Sequence, residues 1–256
     1  MKITFLGTGT SQGVPVIACN CPVCRSTDTH DKRLRTSALI ETDQGHNILI
    51  DIGPDFREQM LRLHVSHLDA ILITHAHRDH VGGLDDIRSF NYVQHCKMQL
   101  YGNRQALDTI RNDYHYIFEP HEFAGLPEAD LHYLSGDEPF DVCGLSAVPI
   151  KALHKDLPVL GYRLGSLTYI TDCNHIAPEE LEKMKGTKYL VIGSLRKQQH
   201  FSHFCLPEAL QVIGQICPEK AFITHMSHEM GLSAQTGAML PDNVFLAYDG
   251  LAVDII

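Results

Sequence analysis

Three histidines and an aspartate fall within six residues, His75-Ala76-His77-Arg78-Asp79-His80, just after the apolar run Ile71-Leu72-Ile73 and just ahead of Gly82-Gly83. Imidazole and carboxylate together suit zinc, manganese or iron. Donors packed this closely cannot all reach one tetrahedral ion without crowding, so two adjacent ions are the natural arrangement. The plain alternative is a group of solvated loop histidines in a chain that has 17 of them. That alternative does not account for HxHxDH standing between an apolar strand and a glycine turn.

Such donors need rigid elements to hold them. Leu68 to Ile73 is short and apolar, as expected of a strand covered on both faces, and the glycine pair lets the chain turn into a helix over Leu84 to Gln94. Four further candidates, His154, Asp172, His203 and His225, each follow an apolar run. Strands are expected at Lys2 to Leu6, Met98 to Tyr101, Leu145 to Leu153, Lys188 to Ile192 and Ala221 to His225. Hairpins are expected over 35–51 and 161–172. Helices are expected at Phe56 to Leu63, Asn103 to Ile110, Glu179 to Lys185 and Pro207 to Ile216, the second capped by Asn103. Strands and helices in alternation imply sheets covered by helices, with ligand loops at the carboxyl ends of the strands. Tyr114 to Asp137 has no sustained period and reads as a lid, an insertion or a surface loop.

Gly7-Thr8-Gly9-Thr10-Ser11-Gln12-Gly13 is a glycine loop after the first strand, without the lysine of a P-loop, and by itself reads equally as a structural turn. Cys19-Asn20-Cys21-Pro22-Val23-Cys24 sets three thiols at a spacing that lets them converge on one soft ion, the alternative being free thiols. Arg35, Arg88 and Arg163 are candidate phosphate contacts, although each also reads as a structural or solvated arginine.

The chain has 256 residues, 44% of them apolar, enough for a sizeable core in one large α/β domain or two small ones. No run suits a signal peptide or a membrane span, so a cytoplasmic location is expected, with the eight cysteines as thiols or metal ligands. A net charge of -10 argues against a broad nucleic-acid surface. It does not exclude a small anionic substrate, because two divalent ions would concentrate positive charge at one point. A homodimer is the commonest symmetric assembly.

HxHxDH, Gly7-Thr8-Gly9 and the spaced His154, Asp172 and His225 together resemble the metallo-β-lactamase superfamily over essentially the whole chain. The resemblance implies an α/β four-layer αββα sandwich, one domain over 1–256 with a CxCxxC insertion near 19–32. Carried over residue by residue, His75, His77 and His154 would hold one ion, and Asp79, His80 and His225 the second. Asp172 would bridge the two, and Asp51 would orient the HxHxDH loop by hydrogen bonding. A centre of that kind holds a hydroxide between its ions and aims it at an electrophile, which counts Asp79 among the catalytic groups. His203 matches a non-ligand histidine that faces substrate just before a helix and protonates the leaving alkoxide; His200, three residues earlier, is its rival.

His77 stands where the oxygen-reducing diiron branch carries Glu, which disfavours a redox role. The nearest likeness is to the branch containing the 5-phosphoribosyl 1,2-cyclic phosphate phosphodiesterases, which share CxCxxC, Arg35-Thr36-Ser37 and an HxxH ending in His228. It implies a structural zinc on Cys19, Cys21, Cys24 and His228, apart from two active-site ions that would be Zn or Mn, with Fe as a third choice. The expected activity is metal-dependent hydrolysis of a small phosphodiester, cyclic ones included. The alternative is an RNA 3'-end processing endonuclease of the tRNase Z type, disfavoured by the acidity and by the lack of a Gly-rich basic arm. A metal-binding protein without turnover is the third reading.

Overall fold

The structure, a computed structural model, describes residues 1–119 and 125–256. Two seven-stranded sheets pack face to face. In spatial order the first is Ala252–Asp254, Lys2–Gly7, Ser37–Glu41, Asn47–Ile50, Ala70–Leu72, Met98–Asn103 and Ala129–Leu134. The second is Val244–Leu246, Lys220–Thr224, Tyr189–Gly193, Leu167–Ile170, Leu157–Leu164, Leu145–His154 and Phe140–Val142.

Strand alternation explains the layers. In Asn47–Ile50, Ile48 and Ile50 enter the core between the sheets, whereas Leu49 enters the core under the helices Phe56–Leu63 and Arg104–Asp113. In Tyr189–Gly193 the same alternation sends Tyr189 and Val191 between the sheets, and Leu190 and Ile192 toward the helices Pro178–Met184 and Leu206–Ile216. A strand buried on both faces must be apolar at every position, hence the continuous runs in the sequence. Each fully buried Leu or Ile is worth about 1.5–3 kcal/mol, so these three cores provide a stiff support. The order helix, sheet, sheet, helix is the expected four-layer sandwich.

The halves repeat one plan. In each sheet three antiparallel pairings are followed by three parallel ones, so Asn47–Ile50 and Leu167–Ile170 occupy equivalent places. An aspartate with left-handed backbone stands just beyond each, Asp51 at φ 60° and Asp172 at φ 49°.

Several local expectations change. The helix expected from Leu84 to Gln94 is broken: a tight 3₁₀ turn Leu84–Ile87 precedes the α-helix Arg88–Gln94. Asp79 and His80 lie not in an open loop but in a helical turn, Arg78–Val81. Asn103 caps Arg104–Asp113 as expected, accepting from Ala106 N at 2.8 Å. The unassigned stretch contributes a helical turn, His115–Phe118, and the edge strand Ala129–Leu134. Its Pro120 and His121 lie outside the described residues. Among the described residues, no helix is long and apolar enough to cross a membrane.

Candidate metal centre

Three donors leave their strands through the same tripeptide pattern, Ile73-Thr74-His75, Ile170-Thr171-Asp172 and Ile223-Thr224-His225, with every Thr fully buried. His225, like Asp172, has left-handed backbone, at φ 58°. Non-glycine residues adopt that conformation at a cost that the surrounding structure must offset. Here the offset is visible. The Gly7-Thr8-Gly9 loop clamps Met226 beside His225, with Met226 N donating to Thr8 O at 2.9 Å and Thr10 N to Met226 O at 3.1 Å.

His75, His77 and His154 converge as one group, and Asp79, His80, Asp172 and His225 as a second. His75 Nε2 and His77 Nδ1 lie 3.0 Å apart. Asp172 faces both groups: its Oδ1 is 3.0 Å from His225 Nε2, and its Oδ2 is 3.4 Å from His80 Nε2 and 3.9 Å from His75 Nε2. Asp79 Oδ2 lies 3.2 Å from His80 Nε2 and 3.7 Å from His225 Nε2.

Hydrogen bonds behind the donors decide which nitrogen each presents. Asp51, fully buried, accepts from Thr74 N and Thr74 Oγ1 at 2.8 Å each and from His80 Nδ1 at 2.6 Å. The Thr74 hydroxyl proton is committed to Asp51, so its oxygen accepts from His75 Nδ1 at 3.0 Å. His154 Nδ1 donates to Ser202 O at 2.7 Å. With their Nδ1 protons engaged in these bonds, His75, His80 and His154 all turn Nε2 inward, the nitrogen that a ligating histidine of this tautomer offers to a metal. The turn carrying Asp79 sits directly on Gly53, where a Cβ would come within 2.1 Å of Asp79 O.

The residues fit metal ions. His80 Nε2 and both nitrogens of His225 are buried without a hydrogen-bond partner, and an orphaned buried polar atom costs about 1–3 kcal/mol unless something satisfies it. The charges agree. Burial opposes ionisation of Asp172 and Asp79, but the adjoining His225 and His80 outweigh it and hold both carboxyls below their ordinary range. Burial likewise opposes a charge on His80, and Asp172, Asp79 and Asp51 reverse it, lifting His80 well above the usual imidazole value. Burial, with His80 beside it, keeps His75 well below. One position in the cluster thus takes a proton where a cation belongs.

His203 is grouped with His154 and Asp172: its ring lies 4.4 Å from that of His154, and its Nδ1 4.0 Å from Asp172 Oδ2. His200 is farther out, its ring 5.3 Å from that of His203. The segment holding both is irregular rather than helical, so they are not stacked on one helix face. A slot of about 130 Å³ borders His75 and His77, walled by Gln105, Ala106, Leu157 and Pro158. A groove of about 730 Å³ shares Gln105 and Pro158 with it but touches none of the donors.

Separately, His228 Nδ1 lies 3.3 Å from Cys19 Sγ, 3.3 Å from Cys21 Sγ and 3.5 Å from Cys24 Sγ. Ligands around a tetrahedral zinc at ordinary bond lengths stand about 3.6 Å apart, so this is the spacing of a closed Cys3His site. The Cys24 backbone N–H pulls the Cys21 thiol down to about 6, toward the thiolate that binds metal.

Residues 46–226 match the family model of the beta-lactamase superfamily domain. The chain belongs to the metallo-β-lactamase superfamily. A crystal structure described as a new diphosphatase from the PhnP family superposes over 100% of this chain and 98% of its own, with a TM-score of 0.92 and 34% identity. The Zn(2+)-bound PqqB of Methylobacterium extorquens superposes over the full length of both chains at a TM-score of 0.79 and 18% identity, which speaks to the fold alone. An octanoyltransferase of Porphyromonas gingivalis is 43% identical over 252 residues, 98% of this chain and 51% of that protein. The chain spans about half the length of this curated relative.

Within this superfamily fold, every metal donor named from the sequence falls in the histidine and carboxylate centre or in the separate Cys3His group. The three arginines do not join them: Arg35 pairs with Asp55 at 2.8 Å, Arg163 donates to the carbonyls of Lys183 and Lys185 at 2.7 Å, and Arg88 begins a helix. Sequence reasoning missed Thr74, Thr171 and the Ser202 carbonyl. The thrice-repeated Ile-Thr before a donor was the available signal for the first two; a carbonyl leaves none.

Proposed function

We propose that the chain is a metal-dependent phosphodiesterase acting on a small phosphate ester, cyclic esters included. The observation that carries this reading is Asp172, a single buried carboxylate set between two groups of inward-facing donors. In this reading His75, His77 and His154 hold one divalent ion, Asp79, His80 and His225 the other, and Asp172 both. Such ions, when bound, activate water at neutral pH and offset the charge that develops on the attacked group. Phosphorus is favoured as the electrophile because the full-length relative at 34% identity is described as a diphosphatase. The acyl transfer named for the Porphyromonas gingivalis protein stays with that protein, which is about twice as long.

The chain's own residues then have distinct tasks. Thr74 and Asp51 hold the Nδ1 protons of His75 and His80, which leaves Nε2 as the atom each can offer to an ion. The slot beside His77 receives the ester, and its small volume suits a compact group. His203 stands at the edge of the cluster, where it would protonate the departing alkoxide. Burial lowers His203 to about 3, with Asp172 opposing and His225 adding to the shift. It is therefore neutral in the free protein, and to act as the acid it must take up a proton in the substrate complex. Proton transfer belongs to the complex.

The test is a panel: metal-loaded protein with bis-p-nitrophenyl phosphate, a cyclic ribose phosphate and a tRNA precursor. Turnover of the first two, abolished in Asp172→Ala, is expected. Cleavage of the precursor alone would replace this reading with the RNA-processing one, and full activity in Asp172→Ala or in metal-stripped protein would refute both. His203→Ala should cost ~10²-fold or more on the alkoxide-releasing cyclic ester and far less on the nitrophenyl ester. An equal loss on both, or a loss only in His200→Ala, removes His203 from that role.

A further inference from the structure

Residues 197–203 form an irregular loop between the strand Tyr189–Gly193 and the helix Leu206–Ile216. Its base is closed by Leu195 N to Phe204 O at 3.0 Å and Leu206 N to Arg196 O at 2.8 Å. The loop carries His200, His203 and the Ser202 carbonyl that orients His154. A loop without a ladder of its own needs a brace if it is to present these groups accurately.

Arg196 braces it from within. Its Nη2 donates to Gln199 O at 3.1 Å and its Nε to Gln198 O at 3.3 Å, while Nη1 donates to Glu229 Oε2 at 2.7 Å. Glu229 follows His228, the histidine facing Cys19, Cys21 and Cys24, in a single 3₁₀ turn whose N-cap is Ser227. Ser227 N donates to Leu195 O at 2.9 Å, so the two segments are joined at both ends of this contact. The guanidinium's rigid fork makes three bonds in fixed directions, which a lysine cannot imitate.

We infer that Arg196 and Glu229 are positioning residues that couple the Cys3His site to the loop bearing His203, so that the state of the thiolate site sets the geometry of the phosphoester site. Their worth is geometric. The pair is partly exposed, with side-chain exposures of 26% and 47%, and an exposed ion pair adds little to stability. The coupling rests on the proposed role of His203, but its structural half does not.

The experiment measures amide hydrogen exchange across 197–203 in metal-loaded protein, alongside kinetics on the cyclic ribose phosphate and bis-p-nitrophenyl phosphate. Arg196→Gln and Glu229→Gln should each speed exchange in the loop and lower kcat on the cyclic ester ~10-fold or more, with KM nearly unchanged. Both should retain the ion at the cysteine site. Arg196→Lys should recover little, and the double variant should be no worse than Arg196→Gln alone, because that substitution already removes the bond to Glu229. Cys21→Ser should speed exchange in the same loop; should that variant fail to fold, the Glu229→Gln result stands in its place. Unchanged exchange at 197–203, or additive losses in the double variant, overturns the coupling. If exchange rises but His203→Ala is insensitive to the leaving group, the coupling holds and the acid role of His203 fails.

Discussion

Replacing Asp51 with Asn should weaken both ions of the buried centre, although Asp51 touches neither group of ligand atoms directly. One carboxylate serves three donors: Oδ1 takes Thr74 N, and Oδ2 takes Thr74 Oγ1 and His80 Nδ1. An amide cannot do this in either orientation. With its oxygen on Thr74 N, the NH2 faces His80, which must then accept at Nδ1 and carry its proton on Nε2, the atom turned toward Asp79 and Asp172. With its oxygen on His80, the NH2 meets Thr74 N–H and leaves a buried donor unsatisfied, at about 1–3 kcal/mol. Loss of such an orienting partner ordinarily costs ~10–100-fold in metal affinity, or about 1.4–2.8 kcal/mol at 1.4 kcal/mol per tenfold. Thr74→Val removes the hydroxyl that joins Asp51 to His75 but leaves Asp51 its bonds to Thr74 N and His80 Nδ1, and so should weaken mainly the ion held by His75, His77 and His154. Competition against a chelator, read as two separate dissociation constants, checks both. The third ion, at the cysteines, serves as the internal reference. Unchanged affinities in Asp51→Asn would refute the tautomer argument, and equal weakening of both ions in Thr74→Val would refute the division of labour.

Filling the histidine centre of protein whose cysteine site is already loaded should release at least the proton of the raised His80, which it must lose to become a ligand; titration in weak buffer measures it. In metal-free protein, the contribution of His80 to stability is present below its unfolded value of about 6.5 and is lost as pH rises through the raised folded value. That of Asp172 and Asp79 is present above about 3.9 and is lost as pH falls through their lowered values. The buried, lowered His75 and His203 act in the opposite sense and cost stability as pH falls below about 6.5, so metal-free stability should be greatest near that value, and a curve that peaks well below it or still rises well above neutrality would contradict the assignment. Cys24→Ser should lose one zinc per chain and lower the melting temperature while leaving the ions at the histidines countable. Metal analysis that finds the thiolate-bound ion intact, or never finds it, would dismiss the Cys3His site.

The candidate donors were legible in the sequence alone. HxHxDH after an apolar strand, and donors after further apolar runs, are local patterns: a doubly covered strand is apolar at every position, and a ligand at its carboxyl end follows at once. Sheets covered by helices were legible for the same reason, because strand and helix periods are written in short windows; the four-layer order came from the superfamily resemblance. What only tertiary structure decided is which atoms face each other. His154 and Ser202 are 48 residues apart and nothing local to either records the pairing; the resemblance pointed Asp51 at the HxHxDH loop, 29 residues on, but not at Nδ1 of His80 in particular. The break at Leu84–Ile87, both ends of which are buried in the core under the helices of the first sheet, and the left-handed backbone at Asp51, Asp172 and His225 come from tertiary packing and bonding, which override local propensity. The arginines show the converse. Their type suggested phosphate, but Arg35 and Arg163 spend their donors on neighbouring carboxylate and carbonyls, while Arg196, which was not singled out, holds the loop that carries His203. A side chain's charge is fixed by its residue type, whereas its partner is a matter of three-dimensional proximity.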